Sequence, residues 1–513
     1  MSGILCFRYQ DLWGAALFLM LLLHRFTSID FSSLWQTGIL LTLYLLFRQT
    51  NEKQQRYAAY GLILWGIVEA VVACFQKAGL MESWHHFFDV TGTFANPGPL
   101  GGFLSISLVG AVSLSGKHLL ELKRSTASFV LLLSSLVSLY GLVLSESRAG
   151  WVAALSGIGV LWIPRIRRNV FPRIGMYILG AIITCIAVWG FYQMRTDSAN
   201  GRLLIWWNTL AMIQEHPLFG TGTGGWLANY MHYQAAYFTR HPDSPFVLLA
   251  DNVAYPYNEY LHLWTEQGLI GIMLLFLLGH TCFRSESPLT LKAQLCAWAV
   301  FAFFSYPSDV FVLQAVGISL TGMTRSKPIG SIRWNNYRCM YAGMLLGCIL
   351  CLSGISWGVY YKVREQIKQP ISVKRASDLQ RLYPYFCHNA PLMTLYSQAC
   401  TRNPIQRDWT FQVCTQAAQV FPVYELYCEM GDSYQSQGEF ARSEQCYQTA
   451  MRMVPNRVTP TYKLFKLYAN QGKKDEALIT ADRLLRQPIK KEGTRTLEMK
   501  AEAGEYLRLG SKR

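Results

Sequence analysis

The chain has 513 residues, of which 51% are hydrophobic and only 15% are charged, and its formal net charge at pH 7 is +16. Apolar runs of membrane-spanning length, about 17–25 residues each, recur through residues 1–358. This pattern excludes an ordinary water-soluble enzyme. It also argues against nucleic acid as a partner, because the basic residues stand mainly between the apolar runs, where they orient a membrane protein.

The apolar runs predict about eleven transmembrane helices within a first domain, residues 1–358. We place these helices near residues 11–24, 31–47, 57–76, 98–115, 126–144, 150–163, 174–194, 259–279, 289–306, 310–324 and 339–358. Residues 359–513 are polar and predict a separate soluble domain.

The distribution of basic residues predicts how these helices are oriented. If the N-terminus lies in the cytoplasm, 17 Lys and Arg residues fall on the cytoplasmic side and 6 fall on the opposite side. The positive-inside rule favours this orientation. We therefore expect both the long loop, residues 195–258, and the C-terminal domain, residues 359–513, to lie outside the cytoplasm.

The C-terminal domain, which we call the tail, has a helical pattern with an internal period. Its clearest unit carries Gly431, Tyr434, Gly438, Tyr447, Ala450 and Pro455. At these positions the unit, residues 424–457, resembles a tetratricopeptide repeat, and a second unit follows after 34 residues. Such helical hairpins need neighbours to bury their apolar faces. We expect the tail either to bind a partner protein or to pack on the membrane domain, and the sequence leaves both alternatives open.

Two predicted outer segments carry groups suited to an anion. The motif FDVTGTFANPGPLGG places Asn96 near the outer end of a helix, and SESRAGW places Arg148 between two apolar runs. Arg202 follows at the start of the long loop. Guanidinium groups bind phosphate bidentately and stay charged, so these arginines predict a phosphate site. For Arg148, the alternatives are pairing with Glu146 and extension of the side chain to the membrane interface.

The long loop also contains the glycine-rich run GTGTGGW. A nucleotide-binding loop is a weak interpretation, because no strand–turn–helix unit surrounds the run. Two alternatives remain for this run: a tight turn that brings backbone N–H groups near a phosphate or sugar, and a turn with no binding role.

The loop closes on the sequence YNEYLHLWTEQG. Asn258, which follows Pro256, predicts the N-cap of a helix. Glu259, His262 and Glu266 then share one helix face, and a stripe of this kind suits acid–base chemistry. The spacing is not a zinc motif, because there is no HExxH and no second His one turn further on. A packing role for His262 is the alternative.

From about residue 91 to residue 271 the chain resembles the O-antigen ligase and polymerase superfamily. The likeness is carried by GTFANPG, by SRAGW and by the block that runs from GRLLIWW through HPLFGTGTGGW to NEYLHLWTEQGLIG. Helical-repeat tails also occur among the protein O-glycosylating members. The resemblance implies an all-α, polytopic protein of the bacterial inner membrane, with a large periplasmic loop and a periplasmic helical-repeat domain.

The resemblance also implies a glycosyltransferase that needs no cofactor and no metal. Such an enzyme passes a glycan from undecaprenyl diphosphate to a hydroxyl of lipid A–core or of a protein Ser or Thr. The alternatives are a polymerase of surface-polysaccharide repeat units and a non-catalytic scaffold that binds lipid-linked glycan. By position, Arg148 and Arg202 then bind the diphosphate, and Asn96, Asn258 and Glu266 contact substrate.

One departure from the family concerns the catalytic base. Members usually carry a catalytic His immediately before the Asn of the closing helix, and this chain has Tyr257 there. Tyrosine has a pKa of about 10 and is a poor base near neutrality. We expect Tyr257 to position the acceptor while Glu259 or His262 takes the proton. There are two alternatives: the reaction needs little base catalysis, or the protein is inactive.

Overall fold

The computed structural model describes residues 4–24, 30–85, 87–120, 126–166, 196–333, 336–369, 373–402, 407–490 and 493–510. These residues are mostly helical, as the sequence predicts. The helices up to the tail are α1 (Tyr9–Leu23), α2 (Leu34–Arg48), α3 (Glu52–Lys77), α4 (Pro97–Leu120), α5 (Thr126–Leu144), α6 (Arg148–Ile166), α7 (Thr196–Glu215), α8 (Gly225–Arg240), α9 (Glu259–Phe283), α10 (Leu289–Phe304), α11 (Phe311–Met323) and α12 (Asn336–Lys368). The tail helices are α13 (Val373–Leu382), α14 (Ala390–Arg402), α15 (Arg407–Val420), α16 (Tyr424–Ser436), α17 (Phe440–Met453), α18 (Val458–Asn470), α19 (Lys474–Arg486) and α20 (Thr494–Gly510).

Four of the described helices are long and apolar enough to cross a membrane: α3, α4, α9 and α12. Shorter apolar stretches occupy α1, α5, α10 and α11. Ten of the predicted transmembrane segments fall on a helix, while the one near residues 174–194 lies outside the described residues. The chain is therefore a helical membrane protein with several spans, and the number eleven stays a prediction.

Helix α4 is the centre of the membrane domain, because small residues let its neighbours approach it closely. A Cβ added at Gly102 would lie 2.4 Å from the ring of Phe301 in α10. A Cβ added at Gly150 in α6 would lie 2.6 Å from the carbonyl oxygen of Gly101. Small residues are the usual device for close helix packing in membranes. This packing brings the first turns of α4 and α6 together.

The structure corrects the all-α prediction at one place. Strand β1 (Ile4–Arg8) pairs antiparallel with strand β2 (Pro328–Arg333). The two strands are more than 300 residues apart in the chain, so no turn motif joins them and local sequence patterns do not reveal the pairing.

Helix α12 crosses the predicted domain boundary at residue 358 without a break and ends at Lys368. Val363 and Ile367, near its end, are buried in one cluster with Leu379 and Phe386 of the tail. A single helix therefore joins the two predicted domains, and its last turns belong to the core of the tail.

The tail contains two helical hairpins with the predicted period. Helices α16 and α18 begin at Tyr424 and Val458, which are 34 residues apart, as are the first residues of α17 and α19. A Cβ added at Gly431 would lie 2.4 Å from the ring of Tyr447, so only glycine allows this contact. The period has a packing basis, and the assignment to the tetratricopeptide repeat stays a prediction.

The tail packs against the membrane domain on the side that carries the long loop. The amide Nδ2 of Asn389 donates to Oδ2 of Asp30 at 2.8 Å, between α1 and α2. The amide Nε2 of Gln234 in α8 donates to the carbonyl oxygen of Met453 at 2.7 Å. The structure therefore shows one of the two alternatives for the tail, which is packing on the membrane domain. Binding of a partner protein, the other alternative, stays a prediction.

Candidate functional site

The motif FDVTGTFANPGPLGG, which carries Asn96, is held in place by a buried glutamate of α3. The carboxylate of Glu69, which is fully buried, accepts hydrogen bonds from the backbone N of Thr93 at 2.9 Å and from its Oγ1 at 2.6 Å. This fixes the segment that carries Asn96, immediately before α4. Among the described residues, none forms a hydrogen bond with the side-chain amide of Asn96. The fold therefore does not use this amide, which lies at the N-terminal end of α4.

The two predicted arginines lie near each other. Arg148 begins α6 and donates from Nη2 to Oγ of Ser198 at 3.1 Å, at the start of α7. Arg202 lies one turn further along α7, with its guanidinium 5.1 Å from the centre of the Tyr257 ring. Burial lowers the pKa of Arg202, and the positive charge of Arg148 lowers this pKa further. Arg202 nevertheless stays charged at neutral pH, because the ordinary pKa of arginine lies far above neutrality.

Arg202 has no anionic partner within the part of the chain that the structure describes. Its guanidinium forms neither a hydrogen bond nor an ion pair there, although it is largely desolvated. A buried charge without a partner is costly. Arg202, which feels the positive charge of Arg148, therefore favours an anion from outside the chain.

Three tyrosine rings lie in contact with one another between Arg202 and the start of α9. The ring of Tyr257 stands edge-on to Tyr306 at 5.3 Å, and Tyr306 stacks on Tyr255 at 4.3 Å. Burial raises the pKa of Tyr257 above its ordinary value. The phenol therefore stays protonated at neutral pH, which suits a positioning group and not a base.

The predicted Glu–His–Glu stripe forms at the start of α9. The Oδ1 of Asn258 accepts hydrogen bonds from the N–H groups two and three residues further on, each at 3.0 Å, which confirms the predicted N-cap. Nδ1 of His262 lies 3.6 Å from Oε2 of Glu259, and its Nε2 lies 3.3 Å from Oε1 of Glu266. The imidazole thus stands between two carboxylates, where it can accept or hold a proton.

Glu266 also anchors the glycine-rich turn. Its Oε1 accepts from the backbone N of Gly224 at 2.8 Å and of Trp226 at 3.4 Å, at the start of α8. The side chain is buried, and a Cβ added at Gly268 would lie 2.1 Å from the carbonyl oxygen of Leu218. Much of the turn's hydrogen bonding is therefore satisfied within the chain, which favours a plain turn over a phosphate cradle.

A turn between α10 and α11 completes the acidic side of the site. Ser308 donates to the Glu259 carboxylate from its backbone N at 2.9 Å and from its Oγ at 2.6 Å. The next residue, Asp309, brings a carboxylate oxygen within 4.8 Å of the ligand atoms of Glu259 and His262. Three such atoms can hold a divalent cation. The prediction that the protein uses no metal stays untested by this geometry.

The residues of this turn, Tyr306, Ser308 and Asp309, were not predicted as part of the site. Poor solvation raises the pKa of the Asp309 carboxyl, the imidazole of His262 opposes this shift, and the nearby Glu259 carboxylate adds to it. The signal in the sequence is small: a polar SYPSD segment between two apolar runs, on the side to which the long loop is assigned.

The fold and the site together define a polytopic helical membrane protein with two arginines beside a carboxylate–histidine cluster at one end of its helices. Residues 133–276 match the family model described as O-antigen ligase. The matched region contains both arginines and the whole Glu–His–Glu stripe, and it supports the resemblance to the ligase and polymerase superfamily. No curated protein matches the chain significantly.

Proposed function

We propose that this protein transfers a glycan from undecaprenyl diphosphate to an acceptor hydroxyl on the periplasmic face of the bacterial inner membrane. The observation that carries the proposal is Arg202, which is half-buried, lies within the electrostatic influence of Arg148 and lacks an anionic partner among the described residues. A lipid diphosphate supplies two phosphoryl groups that guanidinium groups can bind bidentately. The match to the O-antigen ligase family supports glycan transfer in surface-polysaccharide assembly.

The chemistry needs one bond to form and one to break. The acceptor oxygen forms a bond to the anomeric carbon of the glycan, and the bond from that carbon to the diphosphate oxygen breaks. The hydroxyl proton passes to a protein base, and undecaprenyl diphosphate leaves with both electrons of the broken bond. Arg148 and Arg202 stabilise the negative charge that develops on the leaving group.

For the base, the geometry favours His262. Both Glu259 oxygens accept hydrogen bonds from Ser308, and Glu266 is buried as the anchor of the glycine-rich turn. A carboxylate that already accepts such bonds is a weaker base. His262 lies between these two acids, which would stabilise the imidazolium formed when it takes the proton.

A deletion strain tests the proposal and separates the acceptors. We expect undecaprenyl-diphosphate-linked glycan to accumulate, with loss of either capped lipopolysaccharide or glycosylated protein. Wild-type protein expressed from a plasmid should restore the lost glycoconjugate. Shortened surface polymer with normal attachment would instead indicate the polymerase. An unchanged glycan profile would refute glycan transfer and favour the alternative of a non-catalytic scaffold. A reporter that is active only in the cytoplasm, fused after Arg513, should be inactive if the tail is periplasmic.

A further inference from the structure

The segment that leads into the site has little structure of its own. We call residues 247–258 the closing segment; after a short turn, Val247–Leu249, its backbone runs irregularly to the N-cap of α9. Within it Tyr257 has φ of +54°, a left-handed conformation that is strained for a residue other than glycine. Such a conformation persists only where the surroundings hold it. The groups that hold the closing segment therefore decide where Tyr257 stands.

One end of the closing segment is held by the tail. Residues 453–457, which we call the tail turn, connect α17 to α18. Within the tail turn, Nδ2 of Asn456 donates to the carbonyl oxygen of Val247 at 2.8 Å and to that of Ala250 at 2.7 Å. Asn456 is only 2% exposed. Water does not readily replace buried bonds of this kind, so losing the donor leaves the Ala250 carbonyl unsatisfied within the described residues and the Val247 carbonyl with only the backbone hydrogen bond from Ala250.

Further contacts surround this pair of hydrogen bonds. Gln234 in α8 donates from Nε2 both to the carbonyl oxygen of Asp251 at 3.1 Å and to that of Met453 at 2.7 Å. The Asp251 carboxylate lies 3.2 Å from Arg457 and 3.5 Å from Lys490. Met453 is fully buried in one apolar cluster with residues of α7 and α8. The tail turn thus contacts the closing segment by packing, hydrogen bonds and charge.

The other end of the closing segment reaches the arginine site. Nε1 of Trp206 in α7 donates to the carbonyl oxygen of Pro256 at 2.9 Å, and the ring of Tyr257 lies under the guanidinium of Arg202. A continuous set of contacts therefore runs from the tail turn, through the closing segment, to Arg202.

We propose that the tail turn is a positioning element of the site, and that Asn456 is its principal positioning residue. It holds the closing segment so that Tyr257 keeps Arg202 aimed at the anion. The tail then serves the membrane domain directly, in addition to any partner that it binds. The part of this proposal that concerns substrate rests on the proposed function, whereas the holding of the closing segment does not.

The test compares Asn456→Ala with Leu484→Ala in the full-length purified protein. Leu484 is fully buried in the core of the last tail helices, in a cluster separate from the one that contains Met453, so its truncation loosens the tail without removing a contact to the closing segment. Hydrogen exchange is measured for peptides that cover the closing segment, and the Kd is measured for undecaprenyl diphosphate. Asp251→Asn serves as a milder variant should Asn456→Ala fold poorly.

We expect Asn456→Ala to speed exchange in the closing segment about tenfold or more and to raise the Kd about tenfold, while Leu484→Ala speeds exchange only within the tail. Partial unfolding would lower the binding capacity and leave the Kd unchanged, which separates positioning from simple destabilisation. Equal effects of the two variants on the closing segment, or faster exchange with an unchanged Kd, would overturn the proposal. Wild-type protein that does not bind undecaprenyl diphosphate would refute the proposed function, and exchange alone would then decide whether the tail turn holds the segment.

Discussion

Replacing Arg202 by alanine should weaken transfer strongly and change stability little. The guanidinium has no hydrogen-bond partner among the described residues, so its donors are available to the substrate. A bidentate contact contributes two charge-assisted hydrogen bonds of about 1.5–3 kcal/mol each. Because such contributions are not additive, we take about 3 kcal/mol, which corresponds to a loss of roughly 10²-fold in kcat/KM at 1.4 kcal/mol per factor of ten.

The same structure predicts a small effect on folding. Arg202→Ala loses the contact with the Tyr257 ring, worth about 0.5–2 kcal/mol, but it also removes a desolvated charge next to Arg148. These two effects oppose each other, so we expect the melting temperature of the purified protein to stay within a few degrees of wild type. Arg202→Lys keeps the charge but loses the planar guanidinium that binds phosphate bidentately, and should retain about a tenth of the activity.

The assay is transfer in membranes of a deletion strain, with the amount of folded protein measured alongside. Arg240→Ala is the matched control, because it removes the same charge from an exposed position at the end of α8. We expect the control to behave as wild type. Near-normal transfer by Arg202→Ala, or a loss that follows a lower melting temperature, would refute a direct contact with the diphosphate.

Four further predictions concern the acidic side of the site. His262→Asn should lower the transfer rate about 10²–10⁴-fold, whereas Tyr257→Phe should lower it about tenfold or less; if both variants are near normal, the stripe only packs the helix. Glu259→Gln should reduce transfer less than His262→Asn does, because Ser308 already satisfies that carboxylate. Incubation with EDTA should leave transfer unchanged, and a loss restored by a divalent cation would contradict metal independence and make Glu259, His262 and Asp309 the candidate ligands to substitute next. Burial raises the pKa of Asp309 to about 7 in the folded protein, so its charge opposes folding increasingly as pH rises from the ordinary carboxyl range toward that pKa. The gain in melting temperature of Asp309→Asn over wild type should therefore be larger at pH 8 than at pH 5, and a smaller gain at pH 8 would contradict this.

The sequence by itself determined the helical class, most helix positions and the local arrangement of several candidate site residues. Long apolar runs leave only helices or closed barrels as membrane structures, and their lengths predict helices. The Asn258 cap and the spacing of Glu259, His262 and Glu266 are local patterns, because the N-cap hydrogen bonds and the shared face follow from the helical repeat. Local rules therefore sufficed for these features.

The tertiary structure alone decided which distant groups meet. The contact between Arg202 and Tyr257 joins residues 55 positions apart, and Ser308 reaches Glu259 from a different helical hairpin. The strand pair β1–β2 and the contact of Asn456 with Val247 and Ala250 span still longer separations. One sequence carries no local signal for such pairs, because they depend on how buried helices pack around α4 and on where the tail docks. That packing made Glu266 an anchor of the glycine-rich turn, brought Asp309 to the histidine and placed the tail turn against the closing segment.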